Sequence, residues 1–261
     1  MALSVVSFLL HLGLTNRSLR SRSISYLWSL GFGTITAESV IAFGSWQDNE
    51  SAPGALLLMV LISNSPQLIL SFLYLTYNGL FTSMLLAKEW SRFAHHRKTL
   101  RITSPKGQQR STYWLQLPYR YSIPLLATSS LLHWLVSQSI FLARVTVIDP
   151  TGVEDIEESI STCGYSNIAI IFVIGFGSIL PLIAIAYGFR RYPSGMPFAA
   201  NCSAAISAAC HPPEGDIDAA SKPLQWGVTG EVVETDAGHI IGHCSFTSLE
   251  VTSPVEGQLY A

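Results

Sequence analysis

Three long stretches of the chain carry apolar side chains without a single charge: Gly54 to Leu86, Tyr121 to Ala143 and Asn167 to Phe189. A backbone that exchanges water for lipid must satisfy its polar groups within the segment, so about 20 such residues read as a transmembrane helix. The pattern predicts an all-α membrane protein with three transmembrane helices, at about 54–87, 120–144 and 167–189, in a membrane region spanning 54–192. Residues 1–53 form a partial span followed by an outer or interfacial segment. Met1 to Leu14 is apolar but short, and Arg17, Arg20 and Arg22 follow it instead of preceding it, which disfavours a signal peptide. Ile24 to Trp46 is long enough to be a fourth span. However, it contains Gly31, Gly33, Thr34, Thr36 and Glu38, and an acid at a helix centre costs about 2.5–3.5 kcal/mol on insertion scales. The interfacial reading is preferred, with the span as its alternative.

As one straight helix the first stretch would measure about 50 Å, against about 30 Å of hydrocarbon. Pro66 removes a backbone donor and predicts a kink, with Pro66 to Leu86 as the main span and Gly54 to Asn64 leading in at an angle. In the 88–119 loop, Leu100–Thr103 and Thr112–Leu117 flank Ser104-Pro105-Lys106-Gly107, which predicts a short hairpin. Residues 193–261 read as a separate small module. It holds a short helix over Ala199–Ala209 and, from Leu224 onward, short strands punctuated by Gly and Asp.

Composition agrees with membrane residence. Only 12% of residues are charged, against about 25% in soluble domains, and the mean hydropathy is +0.36. The net charge of -2 hides a segregation. Lys88, Arg92, Arg97, Lys98, Arg101, Lys106, Arg110 and Arg120 crowd the first connection with Glu89, whereas Asp149, Glu154, Asp155, Glu157 and Glu158 occupy the second. Lys/Arg excess marks the cytosolic side, so the 88–119 loop and the 193–261 module are expected in the cytosol. Arg190 and Arg191 agree with this orientation and Arg144 opposes it. Of the four cysteines only Cys163 falls on the oxidising side, so no disulfide framework is expected. Asn49-Glu50-Ser51 is a glycosylation sequon outside and Asn201-Cys202-Ser203 one inside.

Candidate chemistry lies in the polar residues that membrane burial makes meaningful. Asn64, Gln67, Ser71, Tyr74, Asn78 and Thr82 recur at spacings of three and four, which puts them on one helical face. That face reads either as helix–helix glue or as the lining of a solute path. On the next span His133 shares a face with Ser129, Ser130 and Ser137. It is a titratable group near mid-membrane, read first as a packing residue and second as a proton relay. Cys202, Cys210, His211, His239, His243 and Cys244 have zinc-ligand chemistry but not zinc-finger spacing, so no metal is expected. No GxSxG, HExxH or CxxC occurs, and Lys106-Gly107 through Ser111-Thr112 lacks Walker spacing. No enzyme, cofactor or nucleic-acid partner is expected.

Asn64-Ser65-Pro66-Gln67, Leu117-Pro118-Tyr119-Arg120-Tyr121, His133 to Gln138, Lys222 to Gly227 and Gly242 to Phe246 are among the strings that carry a resemblance. In them the chain resembles a family of fungal polytopic membrane proteins catalogued by an N-terminal domain of unknown function. The resemblance implies fungal origin and membrane residence, with this chain matching a C-terminal portion and the naming domain upstream of Met1. It carries over no catalytic residue. The expected role is a non-catalytic structural or protein-interaction component with partners on its cytosolic face and the bilayer around it. The alternative is small-solute transport or sensing along Asn64–Thr82.

Overall fold

The computed structural model describes residues 2–15, 21–36, 39–41, 53–149, 152, 154–199, 202–230, 233–234 and 240–260. The architecture is mostly helical, with six α-helices among these residues and small sheets between them. Chain contacts define two compact units, Met1–Tyr77 with Ile123–Tyr187 and Asn78–Ser122 with Gly188–Ala261.

In the first unit, α1 (Ala2–Thr15) is an apolar helix of 14 residues. Ile24 to Trp46 does not form one helix within the described residues. The hydroxyl of Ser23 caps a six-residue α2 (Ile24–Ser29) by accepting from the Tyr26 amide. Gly31 and Gly33, at φ of 79° and 62°, then turn the chain into a backbone region that favours glycine. The chain continues to a short β1 (Val40–Ile41); Glu38 and residues 42–46 lie outside the described residues.

The first predicted span is one helix, α3 (Pro53–Ser91), shared by both units, and its helical assignment runs unbroken through Pro66. The proline leaves the Ile62 carbonyl without its usual amide. The Ser65 hydroxyl supplies a donor instead, at 3.0 Å.

The second predicted span ends early, and here the all-α expectation needs correction. Helix α4 covers Tyr119–Ser139, and the chain leaves it directly into β4 (Ile140–Ile148) and β5 (Glu154–Tyr165). These pair antiparallel from Ile140↔Tyr165 to Ile148↔Glu154, with an irregularity after Val145, and β1 adds to the β5 edge. Apolarity alone had extended the helix to residue 144. The β-branched and aromatic run Ile140-Phe141, Val145-Thr146-Val147-Ile148 favours a strand, and its pairing partner is a stretch that reads as a polar loop. Helix α5 (Asn167–Gly188) follows β5.

Among the described residues two helical runs are long and apolar enough to cross a membrane, Leu57–Ala94 and Asn167–Gly188. The expectation of three is met only in part. Helix α4 has the length, at 21 residues, but its serines, His133 and Gln138 dilute it.

The three long helices meet in the first unit around Leu135, Val136 and Val173, with Val6, Phe32, Leu70 and Phe172 against them. Phe32 stacks on Trp134 at 5.9 Å and meets Phe172 at 5.7 Å. Within this unit α3 and α5 run in the same direction. The Cys163 thiol lies 3.7 Å from the Met59 carbonyl, and further along the Tyr77 hydroxyl donates to the Leu180 carbonyl at 3.1 Å.

The second unit has its own core of Phe93, Ala94, Ala209, Leu224, Trp226, Cys244 and Phe246. The 88–119 loop and the 193–261 segment therefore fold together. After a 3-10 turn (Arg92–Ala94), Lys98 and Leu224 exchange backbone hydrogen bonds at 2.8 Å. The hairpin predicted for the loop is not formed: β2 (Arg101–Ile102) and β3 (Arg110–Ser111) pair in parallel. The connection between them is tied outward, with Gln108 N–H donating to the Ser221 carbonyl and the Gln109 amide to that of Ala220.

The C-terminal segment carries α6 (Ser203–Ala209), β6 (Gln225–Val228), β7 (Val233–Glu234), β8 (Ile240–Gly242), β9 (Cys244–Thr247) and β10 (Leu259–Tyr260). Strands β6 and β9 pair antiparallel, and β8 sits between β7 and β10. Beside the end of α3, the Tyr192 hydroxyl donates to the Met84 carbonyl at 3.0 Å.

Candidate functional site

The polar face of α3 separates into residues that cross to another helix and residues that do not. Gln67 crosses. Its amide nitrogen donates to the His133 carbonyl at 3.1 Å, and its Oε1 lies 2.7 Å from His133 Nδ1. A backbone carbonyl accepts only a donor, which fixes the amide orientation. Oε1 is then the acceptor and Nδ1 carries the hydrogen. One carboxamide thus holds both the backbone and the ring of the same residue on α4, and both side chains are half-buried.

The other members of the face behave differently. Asn64 donates to the Val60 carbonyl, Ser71 to that of Gln67 and Thr82 to that of Asn78, all on their own helix. On α4, Ser130 and Ser137 likewise bond the Leu126 and Trp134 carbonyls. Such back-bonding lets a hydroxyl sit against lipid without an orphaned donor. Tyr74 and Asn78 are half-buried, and their side chains have no hydrogen-bond partner among the described residues. Helical spacing brought the six α3 residues to one face, but among the described residues Gln67 alone of the six hydrogen-bonds to another helix.

If that pair is worth what interhelical bonds in membranes are worth, combining Gln67→Leu with His133→Phe should give a coupling of about 0.6 kcal/mol, and at most about 1.7. Unfolding in detergent of the two single variants and the double variant measures it. A coupling of zero would mean that the ring contact is not made.

Two features of the second unit were not singled out from sequence. Asp216 is buried and accepts from the Thr247 hydroxyl at 2.6 Å, the Ser248 amide at 2.7 Å and the Ser248 hydroxyl at 2.5 Å. Burial works to raise its pKa. The hydrogen bonds from Ser248 and Thr247 and the Lys222 ammonium at 3.9 Å outweigh burial and hold the carboxyl below the usual carboxylate value. Arg97 holds the same turn, its two terminal nitrogens donating to the Ser248 and Leu249 carbonyls. The only sequence signal was an acid in a Gly-Asp turn and a pair of hydroxyls, 31 and 32 residues apart from it.

The zinc-type residues do not assemble, since no group of three or more His, Cys, Asp or Glu suited to a metal occurs among the described residues. Cys202 and Cys210 are exposed, Cys163 and Cys244 buried, and all four are free thiols. Asn49, Asn201 and His239 lie outside the described residues.

A protein-family description, "Domain of unknown function (DUF8419)", matches residues 1–260. The chain belongs to the DUF8419 family. The match that names the family thus falls on these residues themselves, and its description assigns neither a fungal source nor a membrane. No curated protein and no solved structure matches the DUF8419 chain.

Proposed function

We propose that this DUF8419 chain is an integral multi-pass membrane protein, crossing the bilayer three times through α3, α4 and α5, that acts as a non-catalytic structural or protein-interaction component. The observation that carries the reading is the shared direction of α3 and α5. If both cross, the chain between them must return, and among the described residues α4 is the only long helix available. Its 21 residues rise about 31 Å, enough for the hydrocarbon layer. The exposed faces support the same conclusion. Leu68, Phe72 and Leu75 on α3 and Leu182 and Ile185 on α5 are largely uncovered, whereas the core helix of a water-soluble fold buries such residues. The basic 88–119 connection then faces the cytosol together with the rest of the second unit, whose surface is available to other proteins.

The glue reading of the polar face draws on Gln67 and His133, and the self-bonded hydroxyls leave little for a solute to replace. Small-solute transport or sensing is the second reading. It draws on Tyr74 and Asn78, which offer uncommitted polar groups within the span. Asn78→Leu separates the two, since it leaves partner recovery intact under the first and abolishes flux under the second.

Topology provides the main test. The chain is expected to stay in the membrane pellet through an alkaline carbonate wash, with glycan added at Asn49 and none at Asn201. Release by carbonate would sink the spans, and a glycan at Asn201 would reverse the orientation.

A further inference from the structure

Cations of the second unit gather in one place with too little negative charge to balance them. Strand register pairs Arg101 with Arg110 across the β2–β3 ribbon, so their side chains leave on the same face. The Arg101 guanidinium lies 4.3 Å from the centre of the Tyr113 ring and 3.6 Å from the Glu89 carboxylate. Arg110 is exposed and has no carboxylate partner among the described residues. Lys98 is close enough to feel its neighbours. Burial first, then Arg92, Arg110 and Arg101, push its pKa down, and Glu89 only partly opposes them. Four cations therefore share one acid.

Aromatic side chains border the cluster. Tyr113 meets Tyr119, the first residue of α4, edge-on at 5.7 Å. Beside Tyr113 in sequence, Trp114 is 85% exposed, and Tyr119 is 49% exposed. An uncovered tryptophan next to unbalanced arginines at the start of a membrane helix matches the headgroup layer, where indole rings settle and anionic lipids concentrate.

We infer that the β2–β3 face, with Arg101 and Arg110 at its centre and Trp114 at its edge, binds the phosphomonoester headgroup of an anionic inner-leaflet phospholipid. Arginine suits this task because its planar fork donates two parallel hydrogen bonds to phosphate oxygens. The Arg110 fork, together with the Arg101 nitrogen left over from the Ser111 carbonyl and Glu89, presents more donors than the single diester of an ordinary phospholipid can use. The chemistry thus favours a headgroup with an added phosphate, such as a phosphoinositide. Trp114 takes the acyl-chain side of the same lipid, which sets a lipid apart from a free phosphate. The inference rests on the membrane reading above, because only a crossing α4 brings this face to the bilayer surface.

The test uses the full chain purified in detergent, titrated with dioctanoyl phosphatidylinositol phosphate, with dioctanoyl phosphatidylserine, and with the soluble inositol phosphate headgroup. Saturable binding of the phosphoinositide, tighter than that of the other two, is expected. Arg110→Gln should weaken it about five-fold and Arg101→Gln with Arg110→Gln about twenty-fold. Trp114→Ser should weaken the lipid but leave the soluble headgroup unchanged. Among the described residues Arg110 has no side-chain partner to lose, so its variant scores the site even if the double variant fails to fold. Equal binding of the soluble headgroup and the lipid, or an Arg110→Gln chain that binds like the wild type, would overturn the inference. The carbonate wash reports separately on the spans, so failure of the membrane reading is distinguishable from failure of the site.

Discussion

Replacing Phe246 by alanine is expected to cost the second unit about 3–5 kcal/mol, the usual penalty for emptying a buried aromatic site. Phe246 is 8% exposed in the core and meets Trp90 and Phe93 edge-on, with ring centres 5.2 and 5.3 Å away. Those two residues come from the end of α3 and the turn after it, whereas Phe246 comes from β9. The substitution therefore removes an aromatic contact that packs the end of α3 and the turn after it against the C-terminal strands. A domain stability of about 5–15 kcal/mol leaves little room for such a loss. Cys244 offers a direct readout, since it is buried beside this core and burial pushes its thiol pKa up. In the wild type a maleimide should label Cys202 quickly and Cys244 slowly. In Phe246→Ala the Cys244 rate should rise towards that of Cys202. Persistent protection of Cys244 would refute the role given to Phe246.

Asp216→Ala has the next largest expected effect, on the order of 3 kcal/mol. It removes a charged acceptor from three donors, and hydrogen bonds to charged groups contribute about 1.5–3 kcal/mol each before relaxation and water offset part of the loss. The sign of the pH dependence follows from the direction of the shift. The folded-state pKa lies below its ordinary value, so the carboxylate favours the folded chain. That contribution is complete above the unfolded-state pKa and disappears as pH falls through the lower folded-state value. The stability gap between wild type and Asp216→Ala, followed by chemical unfolding in detergent, should be constant near neutrality and narrow below about pH 4. A gap that widened on acidification would contradict the geometry.

These two residues mark where reading the sequence stops. Asn167 to Gly188 was legible as a helix because local apolarity decides it. The residues from Ile140 were not, because an apolar run of that length suits a strand as well as a helix. The choice was settled by pairing with Glu154–Tyr165, whose composition reads as a loop. The same limit explains β2 and β3. Their turn-rich connection suggested a hairpin, but contacts with Ser221 and Ala220, more than a hundred residues later, draw that connection away. In the candidate site, Gln67 and His133 were each singled out by helical spacing and polarity, but nothing local could pair them across 66 residues. Asp216 was invisible as a hub because its hydroxyl partners are ordinary residues until the fold assembles them.

The hydroxyl of Tyr77 and the carbonyl of Leu180 are 103 residues apart in the chain. At about 5–20 residues per second on the ribosome, roughly 5–20 s separate the emergence of the first from that of the second. During that interval α3 goes without this partner on α5. Synthesis of this protein thus contains an obligatory interval in which its 39-residue helix has α4 to pair with, through Gln67 and His133, but not yet α5.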